Sequence, residues 1–405
     1  MGFQSASYHS ELEKVFMDPG PRDWSSLPKD LLYSVLQRLV LPGDYLRFSI
    51  VCTSWYSAAK DNKVIRARMT APMLLIYTGK KDYWKLYDIM VNRFLDLQVR
   101  VPNKRLCGSS KDWLIFVDKN VADKNFGVTL INPFFRVRGR REKENSIIRL
   151  PPLTPPGWEK WLRRCEHYVY KATMSGDPIQ DPNNCIVFVI YLEQTLLAFI
   201  KPGKDTTWTY VDASVDNTDR GCRLVEEVTC LEGKYYAVNH WSELISFDVT
   251  AESYSNVKLV VPAGFKENCI IKRYLVETKE KELWMVQKYI EFDDEKYIRV
   301  TKKFRVFKLN FNLCKWIEET TLGEFALFLG DNTSVAMKPS KFSRCRPNQI
   351  YFNHDSDLFS RYGPHDYGVY NIKDKSFSQP YTKQAKNLVK KSNRLPIWVV
   401  PSFRL

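Results

Sequence analysis

The sequence predicts a small helical head followed by a large all-β domain with the architecture of a β-propeller. Three observations support this fold class. Apolar residues near the N-terminus recur at a helical period, the segments that follow alternate between apolar and polar residues as strands do, and one short strand-like sequence pattern recurs along the chain. At 405 residues the chain is longer than one compact domain usually is. The predicted organisation is a flexible tail at 1–22, a helical domain at 23–68 and a β domain at 71–404.

Composition agrees with a β protein that stays inside the cell. Aromatic residues make up 14% of the chain, which favours strands. The longest apolar run, at 185–200, contains Glu193 and Gln194, so no membrane span is expected. Glu11 and Glu13 stand where a signal peptide needs an apolar centre. The nine cysteines lack any CxxC pair, so we expect reduced core residues and a nuclear or cytoplasmic location.

The first predicted helix lies in "LPKDLLYSVLQRL". Its apolar residues, at 31, 32, 35, 36 and 39, form one stripe at a period of 3.6 residues. Pro28 suits the helix start because its missing N–H needs no partner there. The helix should end near "LPGD".

Two further short helices are expected. Asp44 is a candidate N-cap for a helix that carries Leu46, Phe48, Ile50 and Val51. Ser54 is a candidate N-cap for a helix that begins with Trp55 and runs toward Ile65. Three such helices cannot bury all their large apolar side chains on each other. From periodicity alone, the surplus surface packs either on the chain's own β domain or on another protein.

The same stretch resembles the F-box motif, through Leu27-Pro28, the Leu31-Leu32 pair, Val35-Leu36, and Val51-Cys52 before Trp55. It departs from that motif at Thr53-Ser54, where many F-boxes place a basic residue. The resemblance implies docking to a Skp-type adaptor, and through it to the cullin and RING subunits of a ubiquitin ligase. The residues that it assigns to adaptor docking are Leu27, Pro28, Leu31, Leu32, Val35, Leu36, Leu46, Val51 and Trp55.

A strand phrase recurs in the body of the chain. It appears as "FGVTLIN", "ELISFDV", "FRVFKLN" and "YGVYNIK", with Val128, Ile245, Val306 and Val369 as markers. The marker spacings are 117, 61 and 63 residues, so a further unit is expected in the first gap, for which "TLLAFIKPG" at 195–203 is the best candidate. Repeats of this length, each with about four strands, are typical of propeller blades.

Closure of a propeller requires the two ends of the domain to share a blade. The strand-like segments "PMLLIY" at 72–77 and "PIWVVPSF" at 396–403 are the candidates. A β-sandwich pair is the alternative architecture, since the repeats are degenerate and do not give a blade count.

The body is also similar to the domain of uncharacterised function that follows the F-box in a large plant family. The resemblance runs through "IIRLPPL", "ELWMVQKY", "KWIEETTLGEFALFLGDNTS", "NQIYFNHDSD" and the terminal "IWVVPS". It implies a domain that holds target proteins.

No motif for bond chemistry stands out. Neither GxGxxG nor GxxxxGK[ST] occurs. His354-Asp355 and the Cys165-Glu166-His167 run lack a second ligand pair, and the acidic loop at 291–297 lacks the glycine of a calcium loop, so each is interpreted as a surface or satisfied polar group. We therefore expect no catalytic, cofactor-binding or metal-binding residue. Five strand tryptophans could line a ligand pocket, but most of them are expected to pack between blades: Trp113, Trp208, Trp241, Trp284 and Trp316.

The net charge of +15 leaves an acidic partner open. Basic clusters lie at 136–143, at Lys302, Lys303 and Arg305, and at 383–394. They are short and scattered, which is typical of solvated loops as well as of nucleic-acid contacts.

The leading hypothesis is a non-catalytic, substrate-recognition subunit of a cullin-RING ubiquitin ligase. Its head docks the adaptor, and its β domain recruits an unidentified protein target. The alternatives are a propeller enzyme or sugar-binding protein whose head packs on its own core, and a nucleic-acid binder.

Overall fold

The computed structural model describes residues 23–39, 42–62, 72–80, 83–89, 91–100, 105–110, 112–120, 125–133, 147–154, 169–191, 196–211, 224–249, 254–264, 270–293, 295, 298–339, 345–355, 364–379, 381–392 and 394–400. The chain forms two compact units, Met1–Arg66 and Ala67–Arg404. The predicted tail at 1–22 lies outside the described residues.

The first unit is helical. It consists of a 3-10 turn, Trp24–Ser26, followed by α1 (Lys29–Arg38), α2 (Pro42–Ser49) and α3 (Thr53–Asp61). No helix in the described ranges of the chain is both long and apolar enough to cross a membrane.

The bounds of α1 are as predicted, with Pro28 as the residue before the helix. The predicted starts of the other two helices are wrong. Helix α2 begins at Pro42, whose fixed φ suits a first turn, so Asp44 lies inside that turn and pairs with Arg47 at 2.9 Å. It ends at Ser49, so Ile50 and Val51 lie beyond the helix that was predicted to carry them. Helix α3 begins at Thr53 after the extended Cys52, and it ends at Asp61 instead of running toward Ile65.

The second unit is built from short strands. The first eleven are β1 (Met73–Tyr77), β2 (Tyr83–Asp88), β3 (Arg93–Arg100), β4 (Arg105–Ser110), β5 (Trp113–Asn120), β6 (Asn125–Ile131), β7 (Ile147–Arg149), β8 (Val169–Met174), β9 (Val187–Tyr191), β10 (Leu196–Ile200) and β11 (Thr209–Val211). The remaining strands are β12 (Val225–Leu231), β13 (Lys234–Asn239), β14 (Leu244–Val249), β15 (Tyr254–Val261), β16 (Ile270–Glu277), β17 (Leu283–Asp293), β18 (Ile298–Asn310), β19 (Lys315–Glu319), β20 (Ala326–Gly330), β21 (Thr333–Met337), β22 (Gln349–Phe352), β23 (Gly368–Asn371), β24 (Phe377–Ser378) and β25 (Ile397–Val399).

These strands form six sheets, which are the blades of a propeller. Blade I is β25-β1-β2-β3, blade II is β4 to β7, blade III is β8 to β11, blade IV is β12 to β15, blade V is β16 to β19, and blade VI is β21-β20-β22-β23-β24. One strand of each blade contacts the corresponding strand of its neighbours, in the closed order β4, β8, β12, β16, β21, β25 and back to β4. The propeller prediction is therefore confirmed, and the sandwich alternative is wrong.

The predicted closure is confirmed as well. Strand β25 pairs antiparallel with β1, with Trp398 opposite Leu74. The ends of the β domain therefore share blade I.

The markers Val128, Ile245 and Val306 lie in β6, β14 and β18, each the third strand of its blade counted from the central ring. The predicted missing unit is confirmed, because the segment at 195–203 contains β10, the third strand of blade III. Blade VI differs from the others. Its strands β20 and β22 are parallel neighbours, and β21 is added on the central side.

Apolar side chains fill the spaces between neighbouring blades. Trp113 and Trp208 lie in the core shared by blades II and III, Trp284 lies between blades V and VI, and Trp316 packs between blades IV and V. The expectation that tryptophans pack between blades is confirmed for these four.

One element was missed. The basic segment at 383–394, interpreted as a surface loop, contains a nine-residue helix, α4 (Lys383–Lys391). It begins at the N-cap Thr382, whose side chain accepts a hydrogen bond from the Ala385 amide at 3.2 Å. Ala385 and Val389 are buried in the core shared by blades VI and I.

Close approach of the central strands requires glycine at one position. A Cβ atom on Gly108 of β4 would lie 1.8 Å from the carbonyl oxygen of Ala172 in β8, whereas a Cβ on Gly127 of β6 would meet only the Asp118 carbonyl oxygen at 4.0 Å. Blades II and III can therefore pack at this distance only without a side chain at position 108.

We expect Gly108→Ala to lower the free energy of unfolding by about 3 kcal/mol, because backbone must move to admit the methyl group. Gly127→Ala is the matched control, and it should change stability by no more than about 1 kcal/mol, since the site has space. Urea unfolding followed by tryptophan fluorescence measures both. Equal effects of the two substitutions would contradict the packing described for blades II and III.

Candidate functional site

The helical head has a small core of its own. Leu32 and Leu36 of α1 are fully buried, together with Tyr45 and Phe48 of α2 and Ala58 of α3. The Tyr45 hydroxyl donates a hydrogen bond to the Ala59 carbonyl oxygen. These contacts hold the three helices together.

Trp55 connects three elements of the head. Its ring packs on Phe48 with 4.4 Å between ring centroids, and its Nε1 donates to the Trp24 carbonyl oxygen at 2.8 Å. Asp23 caps the 3-10 turn by accepting from the Ser25 amide at 2.9 Å. The turn at Trp24–Ser26 is therefore held against α3 by the indole of Trp55.

The head also exposes large apolar side chains. Thirteen such side chains are exposed among the described residues, and six of them lie in the head: Trp24 (59% exposed), Leu31 (49%), Val35 (37%), Ile50 (62%), Val51 (53%) and Tyr56 (37%). Leu31 and Val35 are four residues apart on α1 and share one side of that helix. An apolar concentration of this kind on so small a unit is typical of a surface that another protein covers.

The structure divides the nine residues assigned to docking. Pro28, Leu31, Val35 and Val51 are exposed, Leu27 and Trp55 are half-buried, and the side chain of Leu46 lies outside the described set. Leu32 and Leu36 belong to the core of the head, so they support the exposed residues rather than offer surface. The 3.6-residue period identified the apolar stripe, but it did not distinguish the residues in the core of the head from those on its surface.

The β unit has a second concentration of functional groups, a buried polar network at the centre of the propeller that sequence reasoning missed. Lys171 of β8 pairs with Glu227 of β12 at 2.6 Å, and the Ser334 hydroxyl of β21 donates to the same carboxylate at 3.3 Å. In the next blade, Arg273 of β16 donates through its amide to Glu226 at 2.9 Å. The network therefore joins four blades through charged groups.

Asp355 is the most connected member of this network. It receives Lys288 Nζ at 2.8 Å and the Tyr274 hydroxyl at 2.6 Å, and Lys272 lies 3.4 Å from its second oxygen. Lys272 also pairs with Asp331. Burial alone would raise the pKa of the Asp355 carboxyl, but the two ammonium groups and the hydrogen bonds outweigh burial and hold this pKa below its usual value.

At Glu226 and Lys272, burial outweighs the attraction of the nearby opposite charges. Burial raises the pKa of Glu226 despite Arg273 and Lys272 beside it. Burial lowers the pKa of Lys272 despite the Asp355 carboxylate. At Lys288, burial disfavours the charge, yet Asp355 and Asp366 together raise its pKa.

His354 and His365 lie beside this network, with 4.4 Å between ring centroids. Nδ1 of His354 accepts from the Asp366 amide at 3.3 Å. Burial, together with the nearby His365 and Lys288, lowers the pKa of His354 to about 4. The interpretation of satisfied polar groups is confirmed for His354 Nδ1. For Asp355 it is confirmed in part, because Oδ1 lies near Lys272 but accepts no hydrogen bond from the described residues. The run at 165–167 lies outside the described residues.

Metal-ligating side chains and cysteines are the remaining groups to place among the described residues. Within the described ranges, no group of three or more His, Cys, Asp or Glu side chains is placed to hold a metal ion. Six described cysteines form no disulfide, and they are Cys52, Cys107, Cys185, Cys230, Cys314 and Cys345. Three of these are buried, but Cys314 is exposed, so the expectation that all cysteines are core residues is wrong for Cys314.

The basic cluster at Lys302, Lys303 and Arg305 lies on β18 rather than on a loop. Lys302 pairs with Glu291 at 2.6 Å, Arg305 pairs with Glu318 at 2.6 Å, and Lys303 lies 4.3 Å from the centroid of the Tyr289 ring. Two of these three cations are therefore paired with carboxylates. The cluster at 136–143 lies outside the described residues.

Each of the two units matches the model of a known protein family. The model of the KIB1-4 beta-propeller family matches residues 85–371, and the F-box-like model matches residues 24–70. A putative F-box protein of Arabidopsis thaliana is 23% identical over 394 residues, which cover 94% of this chain and 97% of that protein. The Arabidopsis thaliana F-box protein SKIP23 is 24% identical over 359 residues, which cover 82% and 84% of the two chains.

The burial difference on α1 gives a matched test within one helix. We expect Leu36→Ala to destabilise the head by about 3 kcal/mol because it leaves a cavity, and Leu31→Ala to cost less than about 1 kcal/mol because Leu31 is half exposed. Hydrogen exchange of the α1 amides in the full chain measures the local opening. Equal acceleration by the two substitutions would show that the assignment of core and surface is wrong.

The low pKa of His354 predicts an acid sensitivity. The unfolded chain titrates this imidazole near 6.5, so between about pH 6.5 and 4 the unfolded state binds more protons, and stability falls as the pH falls. We expect His354 to account for a loss of about 3 kcal/mol across that window. His354→Asn should unfold with a correspondingly smaller pH dependence in urea titrations at the two ends of the window. An unchanged pH dependence would contradict the prediction.

Proposed function

The chain belongs to the KIB1-4 beta-propeller family, and on that premise we propose that it is the substrate-recognition subunit of a cullin-RING ubiquitin ligase. In this proposal the helical head docks a Skp-type adaptor, which connects it to cullin and RING subunits. The propeller recruits a protein target. The F-box-like match at residues 24–70 and the F-box proteins among its relatives support this role.

The observation that carries the proposal is the exposed apolar surface of the head. Leu31, Val35, Ile50 and Val51 are exposed large aliphatic side chains, although the head has a core of its own. A stable protein interface buries about 1,600 Å² and concentrates its binding energy in a few well-packed apolar residues. An adaptor that covers these side chains would remove apolar surface from water, and the free energy of that burial would stabilise the complex.

The proposed mechanism is proximity. A target held by the propeller while the head is docked has a high effective concentration near the ubiquitin donor, so the chain itself needs no bond chemistry. The central network fits this non-catalytic role. Its lysines and carboxylates are paired with each other, as Lys171 is with Glu227 and Lys288 with Asp355, and the loss of one partner from such a buried pair is strongly destabilising. We propose an intracellular location, nuclear or cytoplasmic, because the partners of such a ligase are found there.

The test uses two exposed apolar positions in each unit. Leu31→Lys with Val51→Lys should abolish co-purification of the full chain with a Skp-type adaptor, since both side chains are exposed in the head and their loss leaves its core intact. The matched control is Leu313→Lys with Ile317→Lys, which places the same charges on exposed apolar positions of the propeller. This control should bind the adaptor like the unmodified chain.

Circular dichroism of each variant separates lost binding from lost folding. If the unmodified chain stays a soluble monomer in the presence of the adaptor, the proposal is wrong. The hypothesis of a propeller enzyme or sugar-binding protein would then be the next to test. Equal loss of binding in both double variants would also contradict docking through the head.

A further inference from the structure

Helix α4 presents a strongly basic face on a rigid support. Its apolar side, Ala385 and Val389, is buried between blades VI and I. Its N-terminus is anchored, because the Thr382 amide donates to the Tyr87 hydroxyl at 3.1 Å. On the outer side, Lys383, Lys390 and Lys391 are exposed.

The charge around α4 is concentrated and unbalanced. Between residues 373 and 394 the sequence has seven lysines or arginines and one acidic residue, Asp374. This segment therefore carries a net charge of +6, out of +15 for the whole chain. Asp374 is already engaged, since it accepts from Ser376 and Asn371. In the described part of the chain, the four lysines of α4 form no ion pair.

Taken together, the four lysines of α4 do not stabilise the helix that carries them. Lys383 stands in the first turn, at the positive end of the helix dipole, and that turn has no acidic residue. Lys386 and Lys390 are four residues apart, a spacing at which like charges repel. Only Lys390 and Lys391, in the last turn, suit the dipole. Charges that oppose local stability are expected where a partner compensates them.

We propose that α4 binds an acidic segment of the protein target, an inference that rests on the proposed function because it assigns the target's chemistry. Lys383, Lys386 and Lys390 lie on one side of the helix and span about 10 Å along its axis. Carboxylates repeated about once per helical turn match that spacing. The packed apolar side fixes the helix backbone before the partner arrives, so only the lysine side chains lose entropy within α4 on binding.

Two other anionic partners fit the helix less well. Insertion into a membrane surface needs an apolar face, and that face of α4 is buried in the propeller. Binding of single-stranded nucleic acid relies on aromatic stacking and arginine, and α4 contains neither. The nearby Arg394 lies over the Tyr77 ring, 4.9 Å from its centroid.

The experiment measures fluorescence anisotropy of the full chain with a labelled peptide of about 14 residues carrying four glutamates at helical spacing. A peptide with glutamine at the same positions serves as the uncharged probe. The variant replaces Lys383, Lys386, Lys390 and Lys391 with glutamine. The control replaces Lys204, Lys258, Lys279 and Lys315, four exposed lysines elsewhere in the propeller, and so has the same net charge.

We expect the α4 variant to bind the glutamate peptide about tenfold more weakly than the unmodified chain, the combined effect of three exposed lysines and the half-buried Lys386. The control should change the affinity less than about twofold. Unchanged binding by the α4 variant, equal loss in the control, or equal binding of the glutamine peptide would each overturn the proposal. Tighter binding of a single-stranded DNA probe that depends on α4 and persists at physiological salt would overturn it in favour of a nucleic-acid site.

Adaptor co-purification separates this inference from the proposed function. The α4 variant should retain the adaptor, because its substitutions lie outside the head. A chain that binds the adaptor but not the glutamate peptide would overturn only the inference about α4. A chain that binds the peptide through α4 but ignores the adaptor would overturn the proposed function and leave α4 as an acid-binding helix.

Discussion

The inner strand of blade I comes from the far end of the chain, and the rest of the propeller depends on that pairing. Strand β25 pairs with β1, and Trp398 at its centre is buried against two further blades. Its Nε1 donates to the Leu329 carbonyl oxygen of blade VI at 3.1 Å, and its own carbonyl oxygen accepts from Ser109 of blade II at 2.6 Å. Since the paired strands are separated by almost the whole domain, the edge of β1 in blade I stays unpaired until β25 reaches it.

The buried charges at the centre follow from closure. A buried ion pair that loses one partner is strongly destabilised, because the remaining charge is left without water or a counter-ion. Lys171 and Glu227 belong to different blades, as do Lys288 and Asp355. Each pair exists only when its blades are in register, so the network favours one arrangement of the ring. A rigid ring also presents its outer elements, α4 among them, in fixed positions, which suits a unit that holds a target.

The sequence predicted the strands and the closing pair well because both depend on local alternation and apolar content. It did not predict the blade count, because blade VI departs from the common order by placing β20 and β22 side by side in parallel. Helix α4 was missed although Thr382 is a recognisable N-cap, since nine residues give a weak period. The central pairs were missed because Lys171 and Glu227 are 56 residues apart. The sequence feature that could have indicated these buried ion pairs is the presence of lysines within otherwise apolar strands. In the head, periodicity could not tell which leucines of the stripe face inward.

We propose that docking to the adaptor involves the head and leaves the propeller strands without contact. Hydrogen exchange of the full chain, with and without a purified Skp-type adaptor, tests it directly. We expect slower exchange in the turn at Trp24–Ser26, in α1 and around Val51, with the propeller strands unchanged. Protection confined to the propeller, or none at all at saturating adaptor, would show that the head is not the docking element.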